Sequence, residues 1–190
     1  MRKLTLALSV GLLGAVVLIT TAVANGNGGK SFKANLTGYE EIIPASFDAA
    51  RTPQFIGEAG AVSTTGSGKF TAKVRRDPLR IEYRLEYRNL EGTPTTQAHI
   101  HFGQKHTVGG VSAFLCGGSK PPCPPTTGEV SGTITAADVV GPAAQGIEPT
   151  NLPELIAAMQ AGVTYANVHT GKWPGGEIRG QINGRGDDDD

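Results

Sequence analysis

The chain has 190 residues, 38% hydrophobic and 18% charged, with 17 basic side chains balanced by 17 acidic ones. This composition excludes a disordered tract and a protein with many membrane spans, and it predicts one main domain. The sequence holds no concentrated run of basic side chains, so we expect no nucleic-acid partner.

Residues 1–24 have the features of a secretory signal peptide. Arg2 and Lys3 form a basic start, no charge follows as far as Ile19, and Ala22-Val23-Ala24 fits the small-x-small cleavage rule. We therefore expect a protein that is secreted or that lies in the periplasm or cell envelope.

The segments around the main domain complete the predicted organisation. A retained anchor over residues 4–24 is the alternative to cleavage, since that stretch can just span a bilayer. The glycine-rich residues 25–30 favour cleavage and a flexible linker, which leaves no stable membrane span. Residues 31–183 form the predicted domain, and the acidic residues 184–190 are predicted to be a disordered tail.

Short strand patterns dominate the domain. Turns rich in glycine and proline separate them, and the chain has 27 Gly and 12 Pro. Such spacing is typical of an all-β antiparallel sandwich or a Greek-key barrel. The candidates are Ser31–Thr37, Gly57–Ser63, Lys69–Arg75, Arg80–Arg88, Gln97–Phe102, Gly110–Leu115, Glu129–Thr135, Val163–His169 and Glu177–Ile182.

The clearest strand pattern lies between residues 69 and 88. Apolar and charged side chains alternate from Arg80 to Arg88, which predicts a strand that covers a core on one side only. The preceding segment alternates in the same way, and Arg76-Asp77-Pro78 is typical of a turn. We therefore expect an antiparallel hairpin.

Two helical pieces are predicted beside the strands. Leu152–Ala161 has Pro153 in its first turn, apolar residues at helical spacing and Gly162 placed to end it. We expect this helix to cover one end of the sheet structure. Thr135 is placed to cap a single short turn after the strand that ends there.

Cys116 and Cys123 are the only cysteines, with six residues between them. An exported chain meets an oxidising compartment, so we expect one local disulfide. A metal-binding pair is the weaker alternative, because the intervening prolines resemble no metal-binding turn.

Three histidines form the most informative constellation. In Ala98-His99-Ile100-His101 the alternation places His99 and His101 on one face of a strand, roughly 6.5–7 Å apart. His169 has the same outward position in Tyr165-Ala166-Asn167-Val168-His169. If the two strands are neighbours, the three imidazoles converge.

Two interpretations of these histidines stay open. Three imidazoles suit one zinc or copper ion with an open fourth position. Alternatively, each ring is tied by hydrogen bonds to a backbone carbonyl or a polar neighbour. His106 is a weaker ligand candidate, and Asn167, Glu177 and Arg179 are candidates for supporting the site.

Familiar catalytic motifs are missing from the sequence. No Gly-x-Ser-x-Gly elbow, phosphate-binding loop or dinucleotide fingerprint occurs. Glu40 and Glu41 are adjacent, so on a strand their side chains point to opposite faces and are poorly placed for joint acid–base work. We therefore expect a protein that is not an enzyme.

Three spaced motifs resemble those of the CHRD domain, named after its occurrence in chordin. They are Gln97–Gly103 (QAHIHFG), Thr164–Thr170 (TYANVHT) and Pro174–Ile182 (PGGEIRGQI), and the resemblance extends over about Lys30 to Asn183. It implies an extracytoplasmic all-β module, which in bacteria mostly has no assigned biochemical activity. The chain has one copy and no cysteine-rich modules, so growth-factor binding does not carry over from chordin.

The run Ala98–Gly103 also looks like the copper-binding strand of the Cu/Zn superoxide dismutases, and the expected fold resembles that family in appearance. The dinuclear site of that family needs six histidines and an aspartate, whereas this chain has four histidines. A mononuclear copper or zinc site is the most that the resemblance implies. The predicted function is thus a non-enzymatic binding or envelope module with an unidentified ligand, and the alternative is a mononuclear metal-binding protein.

Overall fold

The computed structural model describes residues 29–43 and 59–184. The predicted signal peptide and most of the predicted linker lie outside these ranges, as do residues 185–190 of the predicted tail. At the boundaries, the Lys30 carbonyl accepts a hydrogen bond from the Val74 amide, and the last strand runs to Gly184. The described residues contain no helix that is long and apolar enough to cross a membrane.

Strands dominate the described chain, as the alternating sequence patterns predict. They are β1 (Ser31–Thr37), β2 (Ile42–Ile43), β3 (Ala59–Gly60), β4 (Ser67–Arg76), β5 (Leu79–Arg88), β6 (Thr95–Phe102), β7 (Gly110–Cys116), β8 (Gly128–Ile134), β9 (Thr164–Thr170) and β10 (Ile178–Gly184). One α-helix, α1 (Leu152–Gln160), precedes β9.

Eight strands form one antiparallel sheet in the order β7-β6-β9-β10-β1-β4-β5-β8. The edge strands β7 and β8 lie next to each other, so the sheet is nearly closed as a barrel. Across the seam, the connection from β5 to β6 skips β8 and β7, and the connection from β8 to β9 skips β7 and β6. Such connections between strands that are not neighbours are typical of a Greek-key arrangement. The all-β prediction is confirmed.

Side chains bridge the seam between the two edge strands. The Tyr83 hydroxyl on β5 donates to the Leu115 carbonyl on β7 over 2.7 Å. Lys120, in the loop after β7, donates to the Thr133 carbonyl on β8 over 2.9 Å. These bonds supply polar partners where ladder hydrogen bonding is interrupted.

The predicted hairpin is present as β4 and β5. Their register pairs Val74 with Ile81 and Phe70 with Leu85, so the apolar sides of both strands face the barrel interior. Phe70, Ile81 and Leu85 are fully buried. The charged sides face outward, as the alternation predicts.

The predicted strand at Gly57–Ser63 is much shorter in the structure. Only Ala59–Gly60 is a strand, and it pairs with Ile42–Ile43 in a small second sheet. Ala61 has a φ of 69°, a left-handed conformation that ends extended pairing. Residues 57 and 58 lie outside the described residues.

The remaining local predictions are confirmed. In α1, Asn151 caps the N-terminus by accepting from the Glu154 amide, and Leu155 and Met159 join the core. Asp138 closes the predicted turn by accepting hydrogen bonds from the amide and the hydroxyl of Thr135, both over 2.8 Å. Cys116 and Cys123 form a disulfide.

A covered three-histidine site on the barrel exterior

The candidate site lies on the outer face of β6, β9 and β10. The predicted convergence is present because β6 and β9 are neighbours in the sheet. Their register places His99 opposite Asn167 and His101 opposite Tyr165. His169 follows two residues after Asn167 on the same side of β9, so all three imidazoles lie on one patch.

The three histidines are buried although they lie outside the barrel. His99 is 3% exposed, His101 8% and His169 6%. One ring nitrogen of each histidine lies within 4.8 Å of those of the other two. Among the described residues, this cluster is the one group of three or more histidine, cysteine or carboxylate side chains placed to share a metal ion.

Hydrogen bonds to carbonyl oxygens fix two of the tautomers. His101 Nδ1 lies 3.0 Å from the Gly109 carbonyl and His169 Nδ1 lies 2.9 Å from the Pro174 carbonyl. A carbonyl oxygen only accepts, so both Nδ1 atoms carry the proton and both Nε2 atoms keep a lone pair. His169 Nε2 is buried and has no hydrogen-bond partner among the described residues.

The third ring closes the cluster. His99 Nδ1 lies 3.2 Å from His101 Nε2. Since His101 Nε2 is an acceptor, His99 Nδ1 donates in this arrangement. His99 also packs edge-on against Phe114, with ring centroids 4.7 Å apart. The His101 Nε2 lone pair therefore accepts from His99, and the buried His169 Nε2 lone pair is left without a partner among the described residues.

Burial keeps the imidazoles neutral. Loss of solvation lowers the pKa of His99 to about 2, and its histidine neighbours add to the effect. Burial likewise lowers the pKa of His101 to about 3 and that of His169 to about 4. All three rings are therefore neutral imidazoles at neutral pH, each with one ring nitrogen that keeps a lone pair, which is the form that binds metals.

Tyr165 and Arg179 brace the site from the side of β10. The Tyr165 ring stacks on His101 with centroids 4.7 Å apart, and the Arg179 guanidinium lies 3.4 Å from the centroid of the same tyrosine ring. Arg179 donates to the carbonyls of Gln104 and Thr107, in the loop that follows β6. That loop also supplies Gly109, so it covers His101.

Asn167 orients a buried carboxyl group rather than a histidine. Its Nδ2 donates to Glu41 Oε2 over 2.5 Å and to the Ile178 carbonyl over 2.9 Å. Glu41 is 1% exposed, and burial raises its pKa to about 7 despite the bonds from Ile42 and Asn167 and the charge of Arg179. The segment containing Glu41 thus covers the middle of the face.

Glu177 fastens the other end of the covered face. Its carboxylate is fully buried and accepts four hydrogen bonds. The donors are the hydroxyls of Thr64 and Thr170 and the amides of Glu91 and Gly92, over 2.7 to 3.1 Å. Glu177 therefore ties two loops to the start of β10.

The structure separates the sequence candidates into groups. His99, His101 and His169 form the cluster, and Asn167, Glu177 and Arg179 hold the segments around it. His106 is exposed, has a φ of 63° and is not in the cluster. Sequence reasoning missed Glu41, because it lies between a short turn and a two-residue strand that carry no periodic signal.

Comparison with known proteins identifies a domain type. A family model described as the CHRD domain matches residues 32–182, which is most of the chain and includes the three histidines. No curated protein and no solved structure matches this chain.

Proposed function

Because this chain belongs to the CHRD domain family, we propose that it is a non-enzymatic module of the cell exterior or envelope that binds one zinc or copper ion through His99, His101 and His169. The observation that carries this proposal is the buried meeting of three neutral imidazoles. Two of them are held by Nδ1 hydrogen bonds that direct the Nε2 lone pair into the cluster. Carbonyl bonds of this kind are the usual outer support of histidine ligands in metal sites.

The donor set favours zinc or copper. Imidazole nitrogen suits both metals, and three histidines leave one position for water or another ligand. Ligand nitrogens around a tetrahedral zinc ion stand about 3.4 Å apart. The ring nitrogens here lie within 4.8 Å of one another. Rotations of the side chains that move these nitrogens by about an ångström would bring them to the spacing that a bound ion needs. With its proton on Nδ1, His99 binds an ion through the Nε2 lone pair after its ring turns, or through Nδ1 once the proton has moved to Nε2.

An extracytoplasmic location is supported by the domain type and by the Cys116–Cys123 disulfide. A binding role is proposed rather than catalysis because the carboxyl groups near the histidines are already held by hydrogen bonds. Glu177 is saturated by four donors, and Glu41 is held by Asn167 and Ile42. Both groups fasten the cover of the site.

The test is a metal titration of the full chain purified without an affinity tag. We expect a one-to-one complex with zinc or copper that raises the melting temperature, because the ion binds the folded state. His101→Ala should abolish the complex. His106→Ala is the matched control. It removes an exposed histidine from the loop that follows β6, so binding should be unchanged.

Two further variants keep the test decisive. If His101→Ala fails to fold, His169→Gln replaces it, with circular dichroism to confirm the fold. Equal weak binding by wild type and both variants would overturn the proposal. Loss of binding on replacing Asp187–Asp190 by asparagine would also overturn it, because the acidic tail would then be the binding element.

A further inference from the structure

The opposite half of the barrel exterior carries only polar outward side chains and is not covered by any loop of residues 29–43 or 59–184, and we call it the β1–β8 face. It consists of the outward side chains of β1, β4, β5 and β8, four consecutive strands of the sheet. Seven of these side chains are basic and three are acidic. The excess of four positive charges contrasts with a whole chain of zero net charge.

Four cations surround one residue near the centre of this face. Thr71 pairs with Lys33 on β1 and with Arg84 on β5. Lys69 and Lys73 lie two residues before and after Thr71 on the same side of β4. Neighbouring strands are about 4.8 Å apart and alternate residues roughly 6.5–7 Å apart, so the four cations frame a compact diamond.

The acidic side chains of this face are engaged by arginines. Glu82 pairs with Arg75 at 2.7 Å and with Arg80 at 3.0 Å. Glu86 and Glu129 both pair with Arg84, at 3.1 and 2.7 Å. Lys69 and Lys73 are exposed and make no ion pair with any described residue.

Shallow grooves lie on both sides of the diamond. One, of about 650 Å³, is lined by Asn35, Thr37, Ser67, Lys69 and Arg88 among others. The second, of about 350 Å³, includes Ser31, Thr71, Lys73 and Arg84. Hydroxyl and amide groups therefore alternate with cations along a path across the strands.

We propose that the β1–β8 face binds an acidic polysaccharide, with Lys69 and Lys73 at the centre of the contact. Lys69, Lys73 and Arg88 attract carboxylate or sulfate groups along the polymer. Asn35, Ser67 and Thr71 supply hydrogen bonds to sugar hydroxyls. An extended chain with repeated charges matches cations that are spread over several strands.

Other anionic partners fit this face less well. Its outward side chains include no aromatic residue on which the bases of a single-stranded nucleic acid would stack. The outward side chains also include no aliphatic residue, and the exposed Leu79 at the start of β5 is a single apolar side chain at the end of the face, too little to insert into a lipid surface. The chemistry left is charge attraction combined with hydrogen bonding, which suits a hydrated polysaccharide.

The experiment measures binding of the full chain to polygalacturonate, to dextran sulfate and to uncharged dextran at low salt. We expect both acidic polymers to bind, with affinity falling as salt screens the charges, and uncharged dextran not to bind. Lys69→Gln/Lys73→Gln should weaken binding about tenfold or more. Lys105→Gln/Lys172→Gln, which removes the same charge elsewhere, should have little effect.

Several outcomes would overturn the proposal. Equal affinity of the two double variants would show that only net charge matters, and equal binding of uncharged dextran would show that charge plays no part. Tighter binding to phosphatidylglycerol vesicles or to single-stranded DNA than to polygalacturonate would assign the face to another partner. His101→Ala should bind the polymers like wild type. The polysaccharide proposal and the metal-binding proposal are therefore tested separately, and either can be wrong without the other.

Discussion

In both halves of the barrel exterior, inward apolar residues alternate with outward polar ones, but the outward residues are buried in one half and exposed in the other. On β6, β9 and β10, outward polar residues such as His101 and Arg179 are 8% exposed or less. On β5, the outward Arg84 side chain is 53% exposed. The difference arises because the loop after β6, the turn before β10 and the segment around Glu41 cover the first half.

This comparison shows that alternation assigns a side chain to a face, whereas coverage decides its chemistry. A covered histidine loses solvation and stays neutral, and a covered carboxylate needs several donors. An uncovered arginine keeps its solvation and contributes little to stability through surface pairs. The histidine cluster therefore lies where loops cover the sheet, and the proposed docking surface lies where none of the described loops covers it.

The largest expected contrast between the halves comes from removing a carboxylate from each. Glu177→Ala leaves two hydroxyls and two amides without their acceptor, which should cost about 4–8 kcal/mol. A loss of that size leaves a typical domain largely unfolded. Glu86→Ala on the open face is the control and should leave the urea midpoint unchanged. Equal midpoints for both variants would contradict the role of coverage.

The second prediction concerns pH. The unfolded chain protonates its histidines below about pH 6.5, but the covered imidazoles resist protonation until pH 2–4, so stability falls as the pH drops below 6.5. Glu41 acts oppositely: its pKa of about 7 gives stability that is greatest below pH 4.5 and is lost as pH rises through 7. The net loss from pH 7 to 5 should be on the order of 4 kcal/mol.

Denaturant titrations at several pH values measure this balance. Glu41→Gln keeps a neutral, hydrogen-bonding side chain, so its stability relative to wild type should improve as the pH rises from 5 to 8. A flat stability profile between pH 7 and 5 would show that the histidines are solvated. If the difference in unfolding free energy between Glu41→Gln and wild type is the same at every pH, Glu41 does not contribute to the pH dependence of stability.

The smallest expected effect lies at the seam that joins the two halves. Cys116→Ser opens the short loop that holds Lys120 against β8 and should cost about 2–3 kcal/mol. The fold should survive, with an intact circular dichroism spectrum and a lower urea midpoint. Complete unfolding of this variant would mean that the disulfide, rather than the barrel core, holds the seam together.

Much of the fold follows from local sequence patterns. Alternation in 69–75 and 80–88 predicts the β4–β5 hairpin, and helical spacing with Pro153 and Gly162 predicts α1. The second sheet was not predicted, since Ile42–Ile43 and Ala59–Gly60 are too short for a periodic signal. The meeting of the three histidines was predicted, but the segments that cover them were not, because Glu41 reaches Asn167 across 126 positions of the chain.

By itself, the sequence determined the all-β class, the short disulfide, the hairpin and the outward placement of His99 and His101, because these depend on neighbours within a few residues. Only the tertiary structure decided that β9 lies beside β6 and brings His169 to the same patch. It also decided that loops bury this patch, whereas no described loop covers the β1–β8 face. Strand order and loop cover depend on contacts between distant segments, and those contacts set the solvation of each polar group.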